Sequence, residues 1–459
     1  MAQKTKKLGQ VYTPPHIVAD MLDLLCYSGE TILGKNVLDN SCGNGAFLYE
    51  IAKRYIDAYQ AQNGTLNGVE NDLAKYIHGI EIDRTEWQKC VENLNKIHKA
   101  DWDIKLGDTL QINDFDGEMD FVVGNPPYVR IHNLENNFEK VRDYRFAQNG
   151  MADLFLVFYD IALRQLNANG KLAFITPNSF YSSIAGQEFR NYIINEKHLF
   201  AVIDLGHYQP FSATAYTTIC AFDMAKQSDI LAYSKYDNDG KINFVENLII
   251  KDAFNNGKMI LARKAEQDFL KSIQNYVPRN PNKVQVKNAF ATLADDVFIQ
   301  KDFSFNAPEI IDCLKASTGE WKKCIFPYVA NGFDNLANDT QKYLERHKEK
   351  LVNRSLDRKT DWYLFGRSQA INDTMSPKIA INTTIKDARN IKINFVDKGQ
   401  GVYSGLYILT DEPLQRIETI IKNGDFINYI KTIGKCKSGG YYTFSSGDLK
   451  QYLLYKMGA

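Results

Sequence analysis

The 459-residue chain predicts an α/β protein, with a doubly wound, largely parallel sheet in its first half and a mixed α+β domain after it. Three observations predict this. Short apolar runs alternate with helical patterns up to Phe222, as parallel sheets with crossover helices require. The first run, Asn36-Val37-Leu38-Asp39, opens through Ser41-Cys42-Gly43-Asn44-Gly45 into a helix. From about Ala225 the alternation fades, and polar loops carry interspersed aromatics and cations. A boundary between Ala225 and the sharp loop Pro278-Arg279-Asn280-Pro281-Asn282 follows, and the expected division is 1–250 and 251–459.

Each element has a local reason. Val11-Tyr12-Thr13-Pro14-Pro15 is a helix start near His16, with Thr13 at the cap and proline in the first turn. Helical spacing runs over Ala46 to Tyr55, Arg84 to His98, Asp153 to Leu166 and Ala185 to Glu196. Strand runs cover Ile77 to Ile82, Asp103 to Leu106, Asp120 to Val123, Lys171 to Thr176, Phe200 to Leu205 and Tyr216 to Phe222. Asn169-Gly170 is expected to be a turn closing the third of those helices.

Composition narrows the function classes. Apolar residues are 44% and charged residues 24%, an ordinary globular profile, and the net charge is zero. Neutrality leaves room for a local basic stripe and so for a polyanion partner. No apolar segment is long enough to span a bilayer, and the basic stretch Met1 to Lys7 lacks an apolar signal core, so a cytoplasmic location is expected. Seven scattered cysteines, none spaced Cys-x-x-Cys, argue against a disulfide framework or a zinc ribbon, and no metal is expected.

The chemistry-bearing residues fall at strand ends, where open α/β sheets bind ligands. Asp39 suits a cationic ammonium, and the glycines after it let a backbone approach a ligand. Only Gly43 and Gly45 are present, so this is not the Gly-x-Gly-x-x-Gly dinucleotide pattern. Glu81, in Gly79-Ile80-Glu81-Ile82-Asp83, is placed to accept from both hydroxyls of a ribose, with Ile82 against an adenine face. Asp108, after Gly107, can accept from an adenine amine. Finally, Phe121-Val122-Val123-Gly124 leads into Asn125-Pro126-Pro127-Tyr128, where two prolines end any ladder and form a rigid corner. The Asn125 amide and the Tyr128 ring suit gripping a planar amine.

In this order the segments resemble the γ-class (TaqI-like) N6-adenine DNA methyltransferases of type II restriction–modification systems. The resemblance covers about Leu8 to Ala225. It implies a Rossmann-like S-adenosylmethionine-dependent methyltransferase sheet followed by a target-recognition domain. It also implies cofactor contacts from Val11, Thr13, Asp39, Ser41, Cys42, Gly43, Glu81, Ile82, Asp83, Asp108, Thr109, Asn125, Pro127 and Phe158. Asn125 and the Pro126 carbonyl would hold the target amine, with Tyr128 and Phe222 as the two aromatic walls around a flipped-out adenine. The family often has Glu-Pro-Ala where this chain has Asp39-Asn40-Ser41, a shorter acid of the same charge.

Arg130 to Gly150, with Arg130, Lys140, Arg142 and Arg145, is expected to be a loop that orders on DNA. Candidate DNA contacts farther on are Arg367, Ser368 and Gln369, after the basic run Lys342 to Lys359, and Lys437 and Tyr441 near the C-terminus. The expected partner is double-stranded DNA, with a separately encoded restriction endonuclease as the implied second member of the system and a bacterial, nucleoid-associated location. The motifs begin at Thr13, so a stand-alone modification enzyme is expected. The competing readings are an RNA adenine or protein glutamine methyltransferase sharing the same corner, and an inactive DNA-binding homologue.

Overall fold

The computed structural model describes residues 12–131, 141–211, 216–356 and 360–459. The chain forms two compact units, Met1–Lys264 and Ala265–Ala459.

The first unit is built on a nine-stranded sheet. Its strands are β1 (Val37–Asp39), β2 (Ile77–Glu81), β3 (Asp103–Leu106), β4 (Met119–Gly124), β5 (Leu166–Pro177), β6 (Leu199–Asp204), β7 (Thr217–Asp223), β8 (Ile230–Tyr236) and β9 (Ile242–Ile249), and they lie in the order β3-β2-β1-β4-β5-β7-β6-β8-β9. A two-stranded ribbon of β10 (Phe254–Asn255) and β11 (Lys258–Met259) follows the sheet. The run from β3 to β5 is all parallel, whereas β7 lies antiparallel between β5 and β6. Adjacent residues serve opposite faces. Val122 joins the core that holds Phe155 and Phe174, and Val123 joins the one that holds Leu48 and Leu94. Sheets buried on both sides need such unbroken apolar strands.

Helices α1 (Pro15–Leu24), α2 (Ala46–Asn63), α3 (Val69–Tyr76) and α4 (Arg84–Ile97) contribute to the second of those cores, and α5 (Leu154–Gln165) and α6 (Gln187–Glu196) to the first. α1 begins with proline in its first turn, but its cap is Pro14 and not the expected Thr13, whose hydroxyl accepts from Asn125 instead; Asp83 caps α4 by accepting from the Thr85 and Glu86 amides. β1 pairs with β2 on one side and β4 on the other, so the winding reverses between β1 and β4. That reversal opens a crevice at the strands' carboxyl ends, where ligands of such sheets bind.

Two further local expectations fail. Asn169-Gly170 does not close a helix. It lies inside β5, where pairing with β4 jumps from Met119–Leu166 to Phe121–Lys171 and residues 167–170 bulge out. The sheet also outruns the strands expected from the sequence, the last of which ends at Phe222: strand–helix alternation does fade, but β8 and β9 carry the sheet on to Ile249. Both were hard to read because their outer positions are partly solvent-exposed (Phe244 most of all), so neither run is continuously apolar.

The second unit mixes helices with three small sheets. One holds β12 (Val284–Asn288), β20 (Leu406–Thr410), β16 (Lys378–Ile381) and β18 (Ile393–Val396). Another holds β13 (Ile299–Gln300), β15 (Glu320–Ile325), β14 (Ile310–Lys315) and β19 (Gly401–Tyr403). The third holds β17 (Thr384–Ile385), β22 (Tyr441–Thr443) and β21 (Cys436–Lys437). Among the described residues no helix is long and apolar enough to cross a membrane.

Candidate active site

The crevice between β1 and β4 is assembled from segments far apart in sequence. β1 ends in Asp39, which is 1% exposed, and the chain then turns through Asn40 to Gly45 into α2. Gly45 sits at φ +86° as the residue before the helix, a conformation that favours glycine. The Cys42 amide donates to the Ile80 carbonyl at 2.9 Å, holding the turn against β2. Glu81 completes the bracket: Oε2 accepts from the Gly43 amide at 2.8 Å and Oε1 from the Asp83 amide at 2.7 Å. Beyond it Ile82 is 59% exposed, unusual for an isoleucine at a strand end. Asp108 follows β3, its Oδ1 accepting from the Leu110 amide at 3.1 Å.

The Asn-Pro-Pro-Tyr corner joins this group directly. Asn125 Nδ2 donates to Thr13 Oγ1 at 3.1 Å, and Ser41 Oγ donates to the Asn125 carbonyl at 3.4 Å. The Tyr128 hydroxyl donates to the Ile175 carbonyl at 3.3 Å, pinning a half-buried ring to the end of β5. Removal from water pushes the Tyr128 phenol well above its usual range, so it stays neutral. Gly124 lies against Asp39: a β-carbon there would meet Asp39 Oδ1 at 2.7 Å. This glycine was not singled out from the sequence. Its signal is the absence of a side chain at the last strand position before the two prolines.

Two carboxylates set the electrostatics. Burial pushes Asp39 up to about 8, and the Ser41 amide at 3.1 Å only partly offsets this. Burial also raises Glu81, against the pull of the Asp83 and Gly43 amides. A buried acid so shifted is a receptor for a cation, whose charge restores the ionised form. At Gly43, which sits at φ +52°, a β-carbon would meet nothing within 4 Å, so the turn borders open space.

Several expected residues act as framework. Thr109 is 5% exposed, and its hydroxyl donates to the Asn40 carbonyl at 2.6 Å. Asn40, also buried, donates from Nδ2 to Gln165 Oε1 at 2.9 Å, so the departure from Glu-Pro-Ala builds a link to α5. The Cys42 thiol is buried against Cys90, leaving only its backbone to line the crevice. The Asp83 side chain caps α4. Pro126 is buried and Pro127 half-buried, and Phe158 is 5% exposed within the core. Val11 and Lys140 lie outside the described residues, as do 357–359 of the basic run.

Phe222 requires a correction. It is fully buried, with its ring 6.0 Å from Tyr159 and 6.1 Å from Phe189. Because β7 is antiparallel, Phe222 pairs with Leu172 and Leu199, toward the amino edge of β5 and β6 and away from the carboxyl edge where Asn125 stands. It is a core residue and no wall of the site.

In the second unit the candidates divide. Arg130 of the first unit and Arg367, Ser368 and Lys437 here are exposed, and Tyr441 is half-buried on β22. Gln369 is committed inward, with Nε2 donating to the Ala289 carbonyl at 2.6 Å. Ser368 and Gln369 border a cleft of about 510 Å³ that also includes Lys287, Asp373 and Ser446. Within the basic run, Lys348 lies over the Trp362 ring, Lys350 pairs with Asp296, and Arg354 donates to the Leu351, Thr292, Trp362 and Leu364 carbonyls.

A reversed winding with buried acids and an Asn-Pro-Pro-Tyr corner at its carboxyl edge defines a methyltransferase of the doubly wound class. Residues 1–316 match the model of the N-6 DNA methylase family, and the chain belongs to that family. Among curated relatives it is 30% identical over 236 residues to the type II methyltransferase M.BstVI of Geobacillus stearothermophilus, covering 46% of this chain and 41% of that one. It is 29% identical over 214 residues to M.PaeR7I of Pseudomonas aeruginosa, covering 43% and 36%. The chain therefore spans less than half the length of these two relatives. Against M.BanIII of Aneurinibacillus aneurinilyticus the match is 23% identical but covers 83% of this chain and 77% of that one. Among solved structures, the Type IIL restriction-modification enzyme MmeI in complex with DNA shares the fold, with a TM-score of 0.63 at 16% identity over 94% of this chain and 64% of that one.

Proposed function

We propose that this chain transfers a methyl group from S-adenosylmethionine to N6 of an adenine in duplex DNA, as the modification enzyme of a restriction–modification system. The observation that carries the reading is the link Thr13–Asn125–Ser41, which puts the amine-gripping corner and the cation-seeking Asp39 in one crevice. The order of segments, with the cofactor loop ahead of the corner and a mixed domain behind it, supports the γ-class assignment.

The residues present fit the cofactor. Buried Asp39 suits its ammonium, Glu81 its ribose hydroxyls, exposed Ile82 and Asp108 its adenine, and the open space at Gly43 admits its backbone approach. When bound, this group supplies an electrophilic methyl on a sulfonium. The chain's own residues then do the rest. The Asn125 side-chain oxygen and the Pro126 carbonyl accept hydrogens from the target amine, favouring a nitrogen whose lone pair is less delocalised into the ring. Tyr128 offers its ring to the adenine face while its hydroxyl stays anchored on Ile175. Thr13 holds the Asn125 amide in orientation, so that positioning lowers the barrier. A stacked base hides N6 from such a corner, so the adenine must be extruded. Arg130 and the exposed Arg367, Ser368 and Lys437 are proposed contacts to the duplex, and the second unit is the proposed target reader.

The test is methyl incorporation from labelled cofactor into duplex DNA, RNA and protein, followed by nucleoside analysis. N6-methyladenine from DNA is expected. Label in RNA or protein alone, or on cytosine, would overturn the reading. Sequencing of modified DNA from expressing cells then yields the methylated motif.

A further inference from the structure

We propose that Met151 and Ile184 form a wedge that enters the duplex beside the target adenine and props open the stack while the base is extruded. The inference rests on the DNA-adenine reading above. Met151 is 68% exposed and Ile184 73%, the two most exposed large apolar residues of the described first unit. Either alone is ordinary, since single apolar residues dot every surface. What sets them apart is where they stand and how they are held.

Both belong to loops at the carboxyl edge of the sheet. One loop leaves β4 through the Asn-Pro-Pro-Tyr corner, and the other leaves its neighbour β5 at Pro177. The segment after the corner folds back on the segment around Met151. The Leu154 amide donates to the Val129 carbonyl at 2.7 Å and the Ile131 amide to the Ala152 carbonyl at 3.1 Å, so that the backbones of Arg130 and Asp153 pair as an isolated antiparallel β-bridge. This antiparallel pairing sets Ala152 against Ile131, three residues from Tyr128 or roughly 10 Å at the rise of an extended strand, and Met151 is the residue before it. The two loops also touch. A β-carbon on Gly150, which sits at φ +59°, would meet Ile184 Cγ2 at 3.4 Å and the Ala185 amide at 3.2 Å.

The support beneath the tips is stiff. Arg142 donates to the Ala147, Gln148 and Gly150 carbonyls at 3.2, 3.1 and 2.9 Å. Arg190, 5% exposed, does the same under the other loop, reaching Phe180, Ser183 and Gly257 at 2.6, 2.8 and 2.6 Å. Asn149 ties the first loop to Glu188 on α6 at 2.9 Å. Two guanidinium groups thus hold the backbone of both loops while the methionine and isoleucine side chains stand exposed. Hydrophobic tips on a clamped platform suit insertion between bases, where apolar side chains offset the cost of unstacking.

The test uses the full chain and the Met151→Ala/Ile184→Ala variant on two duplexes, one fully paired and one with a mismatched target adenine. A mismatch lowers the cost of extrusion, so the wedge matters less there. The variant is expected to methylate paired DNA at least about tenfold more slowly and the mismatched duplex within about threefold of wild type. A 2-aminopurine target in paired DNA should brighten less with the variant, whereas Met151→Leu/Ile184→Leu should keep the wild-type response. Wild-type rates on paired DNA, or an equal loss on both duplexes, would overturn the wedge. A wild-type protein that methylates neither duplex overturns the DNA-adenine reading, and the wedge with it.

Discussion

The crevice of the first unit and the basic segments of the second spend their polar side chains in opposite ways. In the crevice, side chains meet partners far along the chain: Asn125 reaches Thr13 across 112 positions, and Ser41 reaches Asn125 across 84. In the second unit the amide and cations that look like readers of DNA are largely used on their own framework. Gln369 supports Ala289, Arg354 collects four carbonyls, and Lys350 pairs with Asp296. The difference teaches that an ordered set of strand-end motifs identifies a site, because each motif is constrained by the others. A run of cations identifies only a tendency, since an arginine that holds a loop and one that holds a phosphate look alike in sequence.

The largest effect expected from breaking the crevice comes from Asn125→Ala. Methyl transfer should fall by about 10²–10³-fold, the scale seen when one preorganised hydrogen-bonding group is lost, with cofactor and DNA affinity nearly unchanged. A variant retaining full turnover would remove Asn125 from the chemistry. Next comes Gly124→Ala, whose new methyl collides with the Asp39 carboxylate. It should cost about 1–3 kcal/mol in thermal stability and weaken cofactor binding, whereas an unchanged melting curve would mean the corner yields freely.

Asp39 gives a pH signature. Its folded-state value is raised to about 8, so the free folded protein holds a proton that the unfolded chain releases. Its contribution to stability is therefore present at low pH and is lost as pH climbs from the ordinary carboxylate range towards about 8. Cofactor binding requires the anion and so releases that proton. Affinity measured by calorimetry should rise with pH up to about 8, approaching tenfold per unit, and Asp39→Asn should flatten the profile at lower affinity. A flat profile for the wild type would mean that no proton is released there.

The smallest effects sharpen the second region. Lys437→Ala should weaken DNA binding across sequences and reduce its salt dependence by about one unit of slope. Gln369→Ala should instead cost about 1 kcal/mol of stability with little change in DNA affinity, because its amide serves the Ala289 carbonyl. The reverse pattern, measured by titration and thermal melting, would return Gln369 to the reading surface.

Much of the first unit was legible. The apolar runs became β1 to β7 within a residue or two, except that β5 begins five residues earlier than expected, at Leu166, and Asp39, Glu81, Ile82, Asp108 and Asn125 all came to one edge of one sheet. The sequence by itself determined these because strand period, glycine turns, helix caps and proline corners act over a few contiguous residues. What only the tertiary structure decided is which end of a strand a side chain occupies and what lies across from it. Phe222 fits an aromatic wall or a core equally well until the antiparallel direction of β7 carries it to the far edge, since a strand's alternation reads the same in both directions. Gly124 is an unremarked glycine until Asp39, 85 residues earlier, fills the space a side chain would take. Met151 and Ile184 are two loop residues until their loops fold against each other, with Asn149 donating to Glu188 and Gly150 lying against Ile184. Each outcome depends on packing between distant segments, which no local pattern encodes.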